Sequence, residues 1–117
     1  MSDSILRVKS KEFAKSIVLL CRKLKENNVE YALVNQLLRS GTSIGANIHE
    51  ARYAQGTKDF ISKFEIALKE CNESEYWLEL LFEVNSISKN DFDIFQKECI
   101  ELRRMLVSSV KKLKEKI

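Results

Sequence analysis

The residues of this chain best suited to chemistry are few and scattered. There is one histidine, His49, so a histidine-based metal cluster cannot form within one chain. A di-iron carboxylate bundle uses Glu-x-x-His pairs, and the residue three before His49 is Ala46. Ser108-x-x-Lys111 and Ser109-x-x-Lys112 match the spacing of a Ser-x-x-Lys nucleophile. They lie in a basic tail without the partner motifs that chemistry needs. No Gly-rich phosphate loop is present, and His49-Glu50 reads as a polar pair on a helix flank. Cys21, Cys71 and Cys99 are an odd number of thiols with no short spacing. Each falls on an apolar helical seam, the pattern of small buried thiols in a reducing compartment. Neither an enzyme nor a cofactor or metal site is expected.

Binding chemistry is the better-supported alternative. The 117 residues carry 20 Lys and Arg against 17 Asp and Glu, a net charge of +3. That small excess hides a segregation. Residues 1–27 hold seven cations and three anions, residues 57–87 three and seven, and residues 88–117 eight and five. Arg103, Arg104, Lys111 and Lys112, with Arg39 from an earlier segment, are candidates for a phosphate-binding patch on RNA or DNA. The competing reading is that the acidic segment lies beside a basic one and the charges make many weak surface pairs. A third class of side chain is polar and close to an apolar seam. Asn47, Ser43 and Glu73, with Arg39 and Ser74 on or near the same inward edges, are expected to form a hydrogen-bond network between the second and third helices, because a partly buried amide without partners is costly.

Helices must position all of these. The chain has no Pro and three Gly, and Leu, Lys, Glu and Ile dominate, which favours long helices. From Val34 to Ala51 the apolar and small residues Val34, Leu37, Gly41, Ile44, Ile48 and Ala51 keep a 4,3 spacing, one face of a helix. A helix that puts Gly on its inward face gives up about 1 kcal/mol per Gly against Ala, so close approach of a neighbouring backbone is expected there. Helix 1 is expected over about 4–26, with Leu6, Phe13, Ile17, Leu20 and Leu24 inward and Asn27-Asn28 ending it. Helix 2 is expected over about 30–55, stopped by Gly56. Helix 3 is expected to be capped by Thr57, with Asp59 in its first turn and Phe60, Phe64, Ala67, Cys71, Ser74, Leu78 and Leu81 inward. Ser88-x-x-Asp91 resembles a capping box for helix 4, whose seam is Phe92, Phe95, Cys99, Leu102, Leu106 and Leu113.

Four such helices with short connections predict a single all-α domain, an antiparallel up-down-up-down four-helix bundle. Each helix would be roughly 35–45 Å long. The second half of helix 3 is apolar nearly all the way round, where one stripe would suffice. Trp77, Leu80 and Val84 point away from the seam of Leu78 and Leu81 and are candidates for an oligomer interface. No apolar run approaches the ~20 residues of a membrane span. The N-terminal stretch lacks the apolar block of a secretory leader. A cytoplasmic protein with no membrane role is therefore expected.

The run Leu37-Leu38-Arg39-Ser40-Gly41-Thr42-Ser43-Ile44-Gly45-Ala46-Asn47-Ile48-His49-Glu50 resembles the signature of the four-helix-bundle proteins encoded in 23S rRNA intervening sequences. The run from Phe64 to Leu78 is similar to that family's second block. The usual pattern after Asn-Ile is Ala-Glu-Gly, where this chain has His49-Glu50-Ala51. A later start to the connection between helices 2 and 3 is thus expected. The resemblance implies a homopentameric barrel. It also implies kinship with accessory proteins of diversity-generating retroelements, which share that barrel and bind nucleic acid and a reverse transcriptase. The expected function is a non-enzymatic oligomeric scaffold that associates with RNA through basic surfaces. The alternative is a pure protein-interaction module, comparable to a reverse-transcriptase accessory protein, with no nucleic-acid role. Arg39 is the only candidate cation within the shared motif.

Overall fold

The computed structural model describes residues 2–117, with side chains from Ile5 onward. Met1, part of the stretch read as lacking a leader, lies outside the described residues. Four helices follow in order: α1 (Ser2–Glu26), α2 (Tyr31–Ala51), α3 (Thr57–Glu83) and α4 (Lys89–Lys114). They pack consecutively, α1 on α2, α2 on α3 and α3 on α4, and the α1–α4 seam is the thinnest. Lys9 meets Glu101 and Lys23 meets Asp91, so α1 and α4 run in opposite directions. Phe82 stacks on Phe92 while Lys114 reaches Glu65, which makes α3 and α4 antiparallel too. The bundle measures 47 × 22 × 19 Å.

The 4,3 spacing corresponds to the core. Val34, Leu37, Gly41, Ile44, Ile48 and Ala51 are all buried on α2. The inward residues expected on α1 are buried as well. On α3 the seam begins with Ile61 buried and Phe60 half-buried and stacked on Phe64. Val110 joins the α4 seam. The close approach at Gly41 comes from a side chain: a Cβ there would lie 2.8 Å from Ile17 Cγ2. At Gly45 it is the backbone of α1 that comes near, with Ser10 O at 3.4 Å.

Two helix ends use the same device. Asn28 and Asn85 adopt left-handed φ values of 59° and 65°. Val29 N–H then donates to Leu24 O, and Ser86 N–H to Leu81 O, closing the last turns of α1 and α3 in the pattern of a Schellman motif. Ser88 caps α4 by accepting from Asp91 N–H at 3.1 Å. The Asp91 carboxylate pairs with Lys23.

The expected boundary between helices 2 and 3 needs correction. α2 ends at Ala51, not Gln55. The buried stripe stops there, and no apolar residue at 55 would continue it. Gly56, read as the stop of helix 2, instead precedes α3 with φ 142°. Thr57 is the first residue of α3 and does not cap it. The Asp59 carboxylate, one turn into α3, accepts from Gln55 N–H at 3.0 Å and holds the connection.

Candidate interaction surfaces

The basic residues of α4 divide by the face they occupy. Positions 103 and 104 are neighbours in sequence but about 100° apart around a helix. Arg103 turns toward α3 and makes an ion pair with the half-buried Glu75. That contact raises the pKa of the guanidinium further. Lys114 pairs with Glu65 of α3 at 2.8 Å. These two cations are used in joining α3 to α4, as the competing charge-pair reading expects. Arg104, Lys111 and Lys112 are exposed, and none makes an ion pair with an acidic side chain among the described residues. Arg104 and Lys111 lie seven residues apart, two turns along one outward stripe.

Arg39 lies on α2, apart from the α4 stripe, and its guanidinium is 4.0 Å from the Glu73 carboxylate. Glu70 lies one turn below Glu73. Burial and then the Glu73 charge push the Glu70 carboxyl above the usual carboxylate range, with Arg39 opposing. Arg39 thus faces an acidic pair. Of the five cations proposed from the sequence, the fold groups Arg104, Lys111 and Lys112 on solvent and turns Arg39 and Arg103 to acids of α3.

The polar network also differs from its expected membership. Asn47 Nδ2 donates to Ser43 O, and Ser43 Oγ donates to Arg39 O, so both bonds stay within α2. The hydrogen bond that joins α2 to α3 runs from Ser74 Oγ to Ser40 Oγ at 2.9 Å, and both serines are fully buried. Ser40 also donates to Leu37 O of its own helix, and the single Ser74 proton is shared between Ser40 Oγ and Glu70 O. Ser40 precedes Gly41 on the seam, and that adjacency is the one sequence signal for it.

At the end of α3, Val84 is exposed and Leu80 half-buried. Trp77 is half-buried and packs against the core of its own chain, with Tyr76 edge-on to it. The indole Nε1 of Trp77 and the Glu70 Oε1 are buried without a hydrogen-bond partner. Exposed large apolar side chains are not confined to this region. Ile5, Val8 and Leu19 of α1 and Ile94 and Val107 of α4 are about half exposed or more. Charge and small residues also shape a groove of about 830 Å³ between α1 and α2, lined in part by Lys11, Thr42, Gly45, Ala46 and His49. His49 and Glu50 are both exposed at this edge.

Four helices around one apolar core, with charge sorted by helix, define a four-helix-bundle protein. The family model described as 23S rRNA-intervening sequence protein matches residues 2–108, and the chain belongs to that family. A crystal structure of a protein of unknown function from the S23 ribosomal protein family, from Bacteroides thetaiotaomicron VPI-5482, is similar throughout. The TM-score is 0.92 at 46% identity, over 95% of this chain and 99% of that one. No curated protein matches the chain.

Proposed function

We propose that this protein is a non-enzymatic helical scaffold that assembles from copies of itself, as a pentameric barrel, and associates with RNA through the outward face of α4. The observation that carries the nucleic-acid reading is the stripe of Arg104, Lys111 and Lys112, exposed and without acidic partners among the described residues. Such a stripe offers charge without base-reading geometry, so binding is electrostatic and indifferent to sequence. Assembly strengthens it, since five copies at +3 carry about +15 and repeat the stripe around an axis. The exposed apolar residues of α1 and α4 support association of copies. Membership of the family adds the analogy of its pentameric barrels.

Binding of a labelled single-stranded RNA tests the reading. The wild-type protein should bind at low salt and lose affinity steeply as salt rises. The triple variant Arg104→Glu, Lys111→Glu, Lys112→Glu should lose binding while keeping the wild-type mass in solution. Undiminished RNA binding by that variant would refute the assignment. An assembly that never binds RNA would favour the protein-interaction module instead.

A further inference from the structure

Cys71 and Cys99 face one another across the seam between α3 and α4. Both have 0% exposure. Cys71 Sγ donates to the Cys99 carbonyl oxygen at 3.3 Å, and the Cys99 thiol is the largest influence on the Cys71 thiol. Glu75, one turn along α3, and Arg103, one turn along α4, lie on opposite sides of the cysteines because the helices are antiparallel, and their ion pair spans the same level of the seam. The ring stack of Phe82 on Phe92 holds the seam toward one end, and Lys114 on Glu65 holds it toward the other. The two sulfurs are therefore kept as neighbours by contacts on either side. Cys21 has no such partner. It sits on the α1–α2 side, its Sγ 3.7 Å from Val34 O, and burial pushes its thiol up to about 11.

We propose that Cys71 and Cys99 are a built-in dithiol, which hydrogen peroxide converts to an intrachain disulfide linking α3 to α4. The Cys71 sulfur attacks one peroxide oxygen, the O–O bond breaks, and water leaves after protonation, giving a sulfenic acid at Cys71. The Cys99 sulfur then attacks that sulfur. An S–S bond forms, the S–O bond breaks, and the departing hydroxide takes the Cys99 proton as a second water. The two thiols lose two electrons and the peroxide gains them. The order of roles follows the local electrostatics. The hydrogen bond from Cys99 draws the Cys71 thiol down against its burial and the Glu75 charge, with Arg103 a smaller aid. The same bond and burial hold the Cys99 thiol high. Cys71 is thus the attacking sulfur and Cys99 the resolving one.

Because both sulfurs are buried, reaction requires local opening of the α3–α4 seam, and it is slow. Its product joins residues 28 apart in sequence. Closing a loop of that size removes conformations from the unfolded chain, so the oxidised protein melts at higher temperature.

The test uses the full-length wild-type chain treated with hydrogen peroxide, quenched, unfolded and alkylated. Expected are one remaining alkylatable thiol, at Cys21, and a crosslinked peptide joining Cys71 to Cys99 within a single chain. Dithiothreitol should restore three thiols, the oxidised form should show a raised Tm, and Cys21→Ala should leave the crosslink intact. Three alkylatable thiols after treatment would overturn the proposal. So would oxygen adducts on Cys71 without a crosslink, or a disulfide that uses Cys21 or a second chain.

Discussion

Gly41 and Gly45 are one turn apart on α2, yet an added methyl group meets different surroundings at each. At Gly41 it would press on Ile17 at 2.8 Å, and Ile17 is β-branched, buried and stiff. The overpacking costs about 1–3 kcal/mol, against a helix-propensity gain of about 1 kcal/mol. Gly41→Ala should lower stability in a denaturant titration, and its cost should be smaller when introduced into an Ile17→Ala background than into the wild-type chain. At Gly45 the nearest atoms are at 3.4 Å, an ordinary contact. Gly45→Ala should be neutral or stabilising by up to about 1 kcal/mol. Glu70 has its own expectation. Its carboxyl is raised by burial and by Glu73, so the folded chain holds that proton more tightly than the unfolded chain. The associated stability is present in acid and is lost as pH rises through the raised value. Glu70→Gln should therefore raise Tm at neutral pH, with the gain shrinking as pH falls and Glu70 itself becomes protonated. Apolar seam residues were legible at this scale because burial repeats with the helix. Ser10 and Ser40 were not, since a small hydroxyl that bonds to its own helix leaves no hydrophobic trace. Arg103 and Arg104 look alike in sequence, and only the position of α3 separates the cation paired with Glu75 from the one that has no acidic partner among the described residues.

At the scale of elements, the helix stops are set by two asparagines and by the end of a buried stripe. Asn85 holds φ at 65° so that Ser86 N–H can close the last turn of α3. A β-branched side chain resists that conformation by about 1–2 kcal/mol, whereas Gly accepts it freely. Asn85→Val should lower stability by roughly that amount, and Asn85→Gly should cost little, both read from thermal melts. The composition and the 4,3 spacing made all four helices legible. The α2 boundary was not, because a Gly after a helical pattern reads equally well as a stop or as a hinge into the next helix. Here Asp59 decides the matter by reaching back to Gln55, a contact that depends on the turn already being made. The polar link between α2 and α3 was expected in kind, and of its expected members Ser74 makes the crossing bond and Glu73 faces Arg39, while Asn47 and Ser43 bond within α2. Asn47 has a long enough side chain to satisfy itself on Ser43 O, and the inward-facing Ser40 and Ser74 make the crossing bond.

For the whole molecule, the bundle buries one core and leaves large apolar side chains exposed on α1, α4 and the end of α3. The sequence pointed to Trp77, Leu80 and Val84. The fold takes part of Trp77 into its own core and adds Ile5, Val8, Leu19 and Ile94 to the exposed set. Surface of that kind is normal singly and favours association when it recurs on several faces. Association is the claim on which the scaffold reading rests. Analytical ultracentrifugation of the full chain at micromolar concentration tests it most directly. The expected result is one species with five times the mass of the 13.6 kDa chain. A single species at 13.6 kDa, unchanged as concentration rises, would contradict it.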